Sequence, residues 1–128
     1  MAKKVVLVDD SKTILATAEL ALEGLVSEGK IEVVTFLNPL DAENEYMNNN
    51  GDFDLMISDV NMPQKNGMDF IQTLKSNPRF ANKPMMMLTT ESSPEMKAKG
   101  KEIGLTGWMV KPFTEVKLIK NVSMVLGL

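Results

Sequence analysis

Several short apolar runs in this sequence end next to residues that could take part in chemistry. These residues are Asp9, Asp10, Asp59, Thr89 and Lys111. Carboxylates bind hard cations and can attack phosphorus, whereas hydroxyl and ammonium groups stabilise negative oxygens. If the fold brings these side chains together, Asp59 can act as the nucleophile of a phosphoryl transfer, and Thr89 and Lys111 can bind the transferred oxygens.

The charges of this group predict a metal site. Three carboxylates and one ammonium carry a net charge of about −2, and two like charges ~4 Å apart repel by about 4 kcal/mol at an effective dielectric constant of about 20. A divalent cation would cancel this excess. Because the chain has no histidine and no cysteine, the ligands must be oxygen atoms, which favour Mg²⁺, with Mn²⁺ as a substitute. The predicted metal ligands are Asp9, Asp10 and Asp59.

Phosphorylation of Asp59 would change this balance of charge. The charge of that side chain would go from about −1 to about −2, so the neutralised site would become negative by about one unit. Thr89 and Lys111 are the groups that we expect to move towards the added charge. Such a movement would be the trigger of a conformational switch.

The elements that must position these residues alternate along the chain. Short apolar runs, typical of strands buried on both faces of a parallel sheet, occur at 5–8, 33–36, 55–57, 85–88 and 108–110. The first helix candidate has an apolar stripe from Ile14 to Leu25, and either Asp10 or Ser11 can cap it. The other helix candidates are 39–47, 67–74, 94–104 behind the cap Ser93, and 115–126 behind the cap Thr114.

Five strands that alternate with five helices predict an α/β fold, a (βα)5 doubly wound sheet of five parallel strands. Right-handed crossovers place helices on both faces of such a sheet. Its ligands bind beyond the carboxyl ends of the strands, near the point where the strand order reverses. The candidate residues all follow strands, so we expect them to meet at that edge.

The length and charge of the chain limit the class of protein. A chain of 128 residues is predicted to be one domain spanning 1–128. Its net charge of −3 disfavours nucleic acid as a partner. No apolar run approaches the ~20 residues of a membrane span, and the N-terminal run is too short for a signal peptide. We therefore expect a cytoplasmic monomer that does not bind a membrane.

Four motifs in order give the chain a resemblance to a known family. They are 5–10 with Ser11, Asp59-Val60-Asn61-Met62-Pro63 with Gly67, Leu88-Thr89-Thr90, and Lys111-Pro112-Phe113. With these motifs the chain resembles the receiver domains of bacterial response regulators over essentially its whole length. Its stand-alone character resembles the CheY type of chemotaxis regulator. The resemblance implies the flavodoxin/CheY-like strand order 2-1-3-4-5 and no output domain.

The resemblance also implies roles for individual residues. Asp59 would be the phosphoacceptor, and Asp9 and Asp10 would bind Mg²⁺ directly or through water. The backbone carbonyl of Asn61 would complete the protein ligands of the metal. A cis peptide bond before Pro112 is expected as well. The activity would be limited to Mg²⁺-dependent self-phosphorylation and autodephosphorylation, so the chain is not expected to be an enzyme.

Other residues would read the phosphorylated state. In this family Thr89 and Lys111 would bind the phosphoryl group, and an aromatic residue three positions before the lysine acts as a rotamer switch coupled to the threonine. Trp108 occupies that position here. The side chains of Asn61 and Glu91 would influence the rate at which the acyl phosphate hydrolyses, and their types imply a short-lived signal.

The partners implied by the resemblance are proteins. A sensor histidine kinase would donate the phosphoryl group, a flagellar motor switch protein or another target would bind the phosphorylated form, and a phosphatase could act on it. A phosphorelay intermediate or a phosphate sink for a kinase remain alternatives. The expected partner surface combines the fourth helix, fifth strand and fifth helix, and includes Trp108, Val116, Lys117 and Lys120.

Two other classes of protein share parts of this pattern. A haloacid-dehalogenase-type phosphatase also uses Asp and Mg²⁺, but its nucleophile follows the first strand in an Asp-x-Asp pattern, and here Ser11 follows Asp9 and Asp10. A flavodoxin-like electron carrier needs a hydroxyl- and glycine-rich phosphate loop after the first strand. Adjacent carboxylates at that place would repel the flavin phosphate.

A glycine inside the fourth helix candidate predicts a weak element. Gly100 should cost roughly 1 kcal/mol there relative to alanine. We therefore expect this helix to shift easily, which suits an output face. Amide exchange that is equally slow in the fourth and fifth helices would contradict this expectation.

Overall fold

The computed structural model describes residues 2–128, in which five strands alternate with five helices. The elements are β1 (Lys3–Val8), α1 (Lys12–Ser27), β2 (Ile31–Phe36), α2 (Pro39–Asn48), β3 (Leu55–Ser58), α3 (Gly67–Lys75), β4 (Met85–Thr89), α4 (Pro94–Glu102), β5 (Gly107–Val110) and α5 (Glu115–Leu126). The predicted (βα)5 arrangement is confirmed. Each apolar run of the sequence lies within a strand, and each helix begins and ends within two residues of its predicted bounds.

The five strands form one parallel sheet in the order β2-β1-β3-β4-β5, as predicted. The chain first winds from β1 to β2 and then returns to the other side of β1 to place β3. The strand order therefore reverses between β1 and β3, where a doubly wound sheet forms its ligand site. Asp9 follows the first of these two strands, and Asp59 follows the other.

Alternate residues of each strand enter two hydrophobic cores, one on each face of the sheet. Val5 and Leu7 pack with α1 and α5, whereas Val6 and Val8 pack with α2 and α3. This division follows from the two-residue period of side chains along a strand. Within residues 2–128 no helix combines the length and apolar character needed to cross a membrane.

Side-chain oxygens cap the helices that begin near the carboxyl edge of the sheet. The hydroxyl of Ser11 accepts a hydrogen bond from the backbone N–H of Ile14 (3.3 Å), so Ser11 rather than Asp10 is the cap of α1. The hydroxyls of Ser93 and Thr114 cap α4 and α5 in the same way, as predicted. The carboxylate of Asp10 is therefore not used as a cap.

The turn between β3 and α3 brings two backbone segments unusually close. The N–H of Gly67 donates a hydrogen bond to the carbonyl oxygen of Val60 (2.7 Å). A Cβ atom at Gly67 would lie 1.9 Å from the carbonyl oxygen of Asp59 and 3.0 Å from the Cα of Val60. No side chain fits there unless the backbone that carries Asp59 moves.

We expect Gly67→Ala to lower the free energy of unfolding by about 2 kcal/mol or more, because the new methyl group collides with backbone rather than with a movable side chain. Urea denaturation measures this effect. The matched control is Gly24→Ala, since Gly24 is exposed inside α1 and a Cβ there meets no atom within 4 Å. The control should raise the free energy of unfolding by about 0.5–1 kcal/mol. Equal midpoints for Gly67→Ala and the unchanged protein would contradict the close approach.

Candidate functional site

Three carboxylates meet at the carboxyl edge of the sheet. Asp9 and Asp59 are buried, with 3% and 7% of their surface exposed, whereas Asp10 is exposed. One carboxylate oxygen from each residue lies within 4.8 Å of the others. The sequence prediction that these three side chains cluster is confirmed.

The ammonium group of Lys111 lies between the two buried carboxylates. Its Nζ atom is 2.6 Å from Oδ2 of Asp9 and 2.9 Å from Oδ2 of Asp59. Lys111 follows β5, and its backbone N–H donates to the carbonyl oxygen of Thr89 (2.8 Å) at the end of β4. The peptide bond between Lys111 and Pro112 is cis, as expected. The residues that directly follow β1, β3 and β5 thus form one ionic group.

Backbone N–H groups orient the same carboxylates. Oδ1 of Asp9 accepts from the N–H of Ser11 (2.9 Å), and Oδ1 of Asp59 accepts from the N–H groups of Val60 (2.6 Å) and Asn61 (3.3 Å). In both residues these bonds leave Oδ2 directed towards Lys111. The nucleophile candidate therefore has a defined orientation before any ligand binds.

Burial and charge pairing act in opposite directions on the protonation of this group. Burial raises the pKa of Asp9, and its hydrogen bonds from Lys111 and Ser11 only partly offset that effect. Burial also opposes the charged form of Lys111. However, the hydrogen bonds to Asp9 and Asp59, together with their charges, outweigh burial and raise the pKa of Lys111. The lysine consequently keeps its proton between the two carboxylates.

The carboxylate cluster has the composition of a divalent cation site. Two of its members are buried and the third, Asp10, is exposed, so a cation could approach from the solvent side. The ligands are oxygen atoms only, which suits Mg²⁺ or Mn²⁺, and Lys111 balances just one of the three negative charges. The residues therefore fit such an ion. The identity of the ion and the role of the Asn61 carbonyl as a ligand stay predictions.

The predicted switch residues are connected through the backbone of Glu91. Thr89 is fully buried, and its hydroxyl oxygen accepts a hydrogen bond from the N–H of Glu91 (3.2 Å). The indole Nε1–H of Trp108 donates to the carbonyl oxygen of Glu91 (2.9 Å). Thr89 and Trp108 thus contact opposite polar groups of the same residue. The sequence places both residues near the site but does not predict this link.

The residues of the predicted partner surface lie outside the acidic cluster. Val116 has 74% of its surface exposed, and Lys117 and Lys120 are exposed on the same helix. Lys117 and Lys120 line an open groove between β5 and α5, and Trp108 forms part of its wall. Their roles in binding stay predictions.

Sequence reasoning did not identify one residue that supports the site. Ser58 is fully buried, and its hydroxyl donates to the carbonyl oxygen of Asp59 (2.8 Å). A polar residue at the end of an otherwise apolar strand was the available signal. The contact of Trp108 with Glu91 had no such signal, because a backbone carbonyl is present in every residue type.

The sequence matches the response regulator receiver domain family over residues 5–123. The chain therefore belongs to the response regulator receiver family.

Individual relatives align along nearly all of the chain. Chemotaxis protein CheY1 of Helicobacter pylori is 33% identical in an alignment of 127 positions that covers 97% of each chain. CheY-3 of Vibrio cholerae is 28% identical over 95% of this chain and 90% of its own. The solved structure of Vibrio cholerae chemotaxis protein CheY4 has a TM-score of 0.87 at 37% identity, and the alignment covers 98% of this chain and 100% of that one.

Removal of the ammonium group tests whether a cation binds among these carboxylates. We expect Lys111→Met to lower the free energy of unfolding by about 3 kcal/mol without Mg²⁺, because two buried carboxylates lose their partner. Added Mg²⁺ should raise the free energy of unfolding more in this variant than in the unchanged protein. In the folded variant no ammonium group competes with the ion for the carboxylates. Urea denaturation with EDTA or with Mg²⁺ measures both effects.

The matched control is Lys65→Met, because Lys65 also binds a carboxylate, that of Glu43 (2.6 Å), but on a more exposed part of the surface. Its loss should cost about 1 kcal/mol or less and should not depend on Mg²⁺. If Mg²⁺ stabilised both variants to the same extent, the ion would not bind beside Lys111.

Proposed function

We propose that this chain is a phosphorylation-activated switch of a two-component system. In this proposal Asp59 accepts a phosphoryl group from a histidine kinase, and the phosphorylated form binds a target protein. The observation that carries the proposal is the buried Asp59 carboxylate, which is oriented by backbone N–H groups and contacted by Lys111 beside two further carboxylates. Membership of the receiver family supports it.

The transfer forms one bond and breaks one. A carboxylate oxygen of Asp59 attacks the phosphorus atom of a phosphohistidine, and the phosphorus–nitrogen bond breaks as the phosphorus–oxygen bond forms. The ring nitrogen takes the bonding electron pair, and the imidazole leaves as a neutral group when its second ring nitrogen is already protonated. When bound, Mg²⁺ neutralises negative charge at the acidic cluster. Lys111 and the hydroxyl of Thr89 bind oxygens of the transferred group.

The reverse of the signal is hydrolysis of the acyl phosphate. Water attacks the phosphorus atom, the bond to Asp59 breaks, and inorganic phosphate leaves while the carboxylate is regenerated. Asn61 is exposed and Glu91 is half-buried, and both lie beside the site, where they can affect the approach of water. The chain would act on its own Asp59 only, so the proposal does not make it an enzyme towards another substrate.

We further propose that the pathway is chemotaxis and that the target is a flagellar motor switch protein. The support is that relatives named as chemotaxis proteins in Helicobacter pylori and Vibrio cholerae align with this chain along nearly their whole lengths. A phosphorelay intermediate and a phosphate sink remain the alternatives, since both would use the same acidic site. The cytoplasmic location expected from the sequence belongs to this proposal.

The proposed partner surface joins cationic and apolar groups. Lys117 and Lys120 supply positive charge on α5, and Val116 supplies exposed apolar surface beside them. The groove between β5 and α5 continues this surface to Trp108. We therefore expect a target segment that contains both acidic and apolar side chains.

The first test is the intact mass of the protein after incubation with acetyl phosphate and Mg²⁺. We expect the gain of one phosphoryl group, because Asp59 is the oriented nucleophile of the cluster. The gain should disappear with EDTA, which removes the cation, and in Asp59→Asn, which lacks the attacking oxygen. A gain that persisted in Asp59→Asn would place the acceptor elsewhere. If the mass does not increase under conditions that phosphorylate another receiver, the chain is a binding module without phosphoryl chemistry.

The second test separates phosphorylation from target binding. We expect Trp108→Ala to gain the phosphoryl group but to bind the motor switch protein of the same organism no better after phosphorylation than before. The reason is that the variant loses the indole that joins Glu91 to the partner groove. Isothermal titration with and without acetyl phosphate measures the affinities. A normal increase of affinity in Trp108→Ala would contradict a switch role for Trp108.

A further inference from the structure

Gly100 of α4 lies directly against the indole of Trp108. It is buried, and a Cβ atom on it would lie 3.1 Å from Cζ3 and 3.2 Å from Cε3 of Trp108. The same Cβ would lie 2.8 Å from Cδ1 of Leu105. The six-membered ring of the indole therefore occupies the space that a side chain at Gly100 would need.

Gly100 is also the point at which α4 is most deeply buried. It is the one buried residue of α4, whereas Met96 is half-buried against the core. Glycine costs roughly 1 kcal/mol in a helix relative to alanine. Here the missing side chain lets the helix backbone approach the ring of Trp108, so the position of α4 depends on the position of the indole.

The opposite edge of the indole contacts the loop between β4 and α4. Nε1 of Trp108 donates to the carbonyl oxygen of Glu91, and the N–H of Glu91 donates to the hydroxyl of Thr89. Hydrogen bonds and packing thus join Thr89, Glu91, Trp108 and Gly100 in a continuous series. The indole already makes both of its contacts in the unphosphorylated chain.

We infer that Gly100 is a positioning residue that seats the Trp108 indole between α4 and the backbone of Glu91. This inference rests on the proposed function and extends it. When Thr89 moves towards phosphorylated Asp59, its hydroxyl releases the N–H of Glu91. The backbone of Glu91 then shifts with the indole bonded to its carbonyl oxygen, and the indole displaces α4 through the contact at Gly100.

Tryptophan fluorescence tests directly whether Gly100 positions the indole, because Trp108 is the only tryptophan of the chain. We expect Gly100→Ala to shift the emission maximum to longer wavelength and to increase quenching by acrylamide, since the methyl group displaces the indole towards solvent. The matched control Gly24→Ala adds the same methyl group to α1, where the new Cβ meets no atom within 4 Å. That variant should leave emission and quenching unchanged.

A double variant identifies which contact matters. In Gly100→Ala with Leu105→Ala the tightest contact is removed, while the two contacts with the indole remain. We expect the altered emission to persist in the double variant. Recovery of the original emission would show that Leu105, and not the indole, occupies the space at Gly100, and it would overturn the inference.

Incubation with acetyl phosphate and Mg²⁺ then tests whether phosphorylation of Asp59 changes the environment of Trp108. The unchanged protein should gain one phosphoryl group by mass and change its emission, whereas Gly100→Ala should gain the group and lose the change in emission. A full emission change in Gly100→Ala, or none in the phosphorylated unchanged protein, would overturn the inference. If the unchanged protein gains no phosphoryl group, the proposed function fails. The positioning role of Gly100 is then still tested by unphosphorylated Gly100→Ala, whose unaltered emission would overturn it.

A second variant covers the case in which Gly100→Ala does not fold. Trp108→Phe keeps an aromatic ring but removes the N–H group that bonds Glu91 and reduces the contact with Gly100. We expect faster amide exchange in α4 of this variant than in the unchanged protein, with α1 unaffected as an internal control. Equal exchange in α4 of the two proteins would contradict the inference.

Discussion

The site depends on the ion pairs of Lys111 with Asp9 and Asp59. Two buried carboxylates at one edge of the sheet repel each other, and the ammonium 2.6 and 2.9 Å from them offsets that repulsion. This arrangement requires the carboxyl ends of β1, β3 and β5 to lie at the same edge of the sheet. A phosphoryl group on Asp59 adds negative charge at this point. Under the proposed function, Lys111 and Thr89 would respond to that charge, so the interaction that stabilises the resting site would also be the one that phosphorylation changes.

The parallel sheet supplies the rigidity that such a site needs. The central strands β3 and β4 and the carboxyl half of β1 are buried between two hydrophobic cores, so their carboxyl ends have little freedom to move. The loop after β3 is restricted further, because Gly67 approaches the carbonyl oxygen of Asp59 too closely for any side chain. The nucleophile candidate is consequently oriented by backbone geometry.

The connection from the site to the surface runs through main-chain atoms. Thr89 accepts a hydrogen bond from the N–H of Glu91, and Trp108 donates one to the carbonyl oxygen of Glu91. A displacement of one side chain can therefore reach the other through the backbone of Glu91. Gly100 extends this connection to α4. The ease of movement of α4 that the helix propensity of glycine suggests stays a prediction.

The pattern of apolar runs and helical periods was sufficient to predict the α/β fold, and residue types at the strand ends were sufficient to predict that Asp9, Asp10 and Asp59 cluster. These features follow from local periodicity and from the fact that parallel strands end at one edge. The tertiary structure alone decided that Lys111 bridges two of these carboxylates and that Gly100 seats the indole. Such contacts depend on how elements distant in sequence pack, and the residue types alone do not say which side chains will meet.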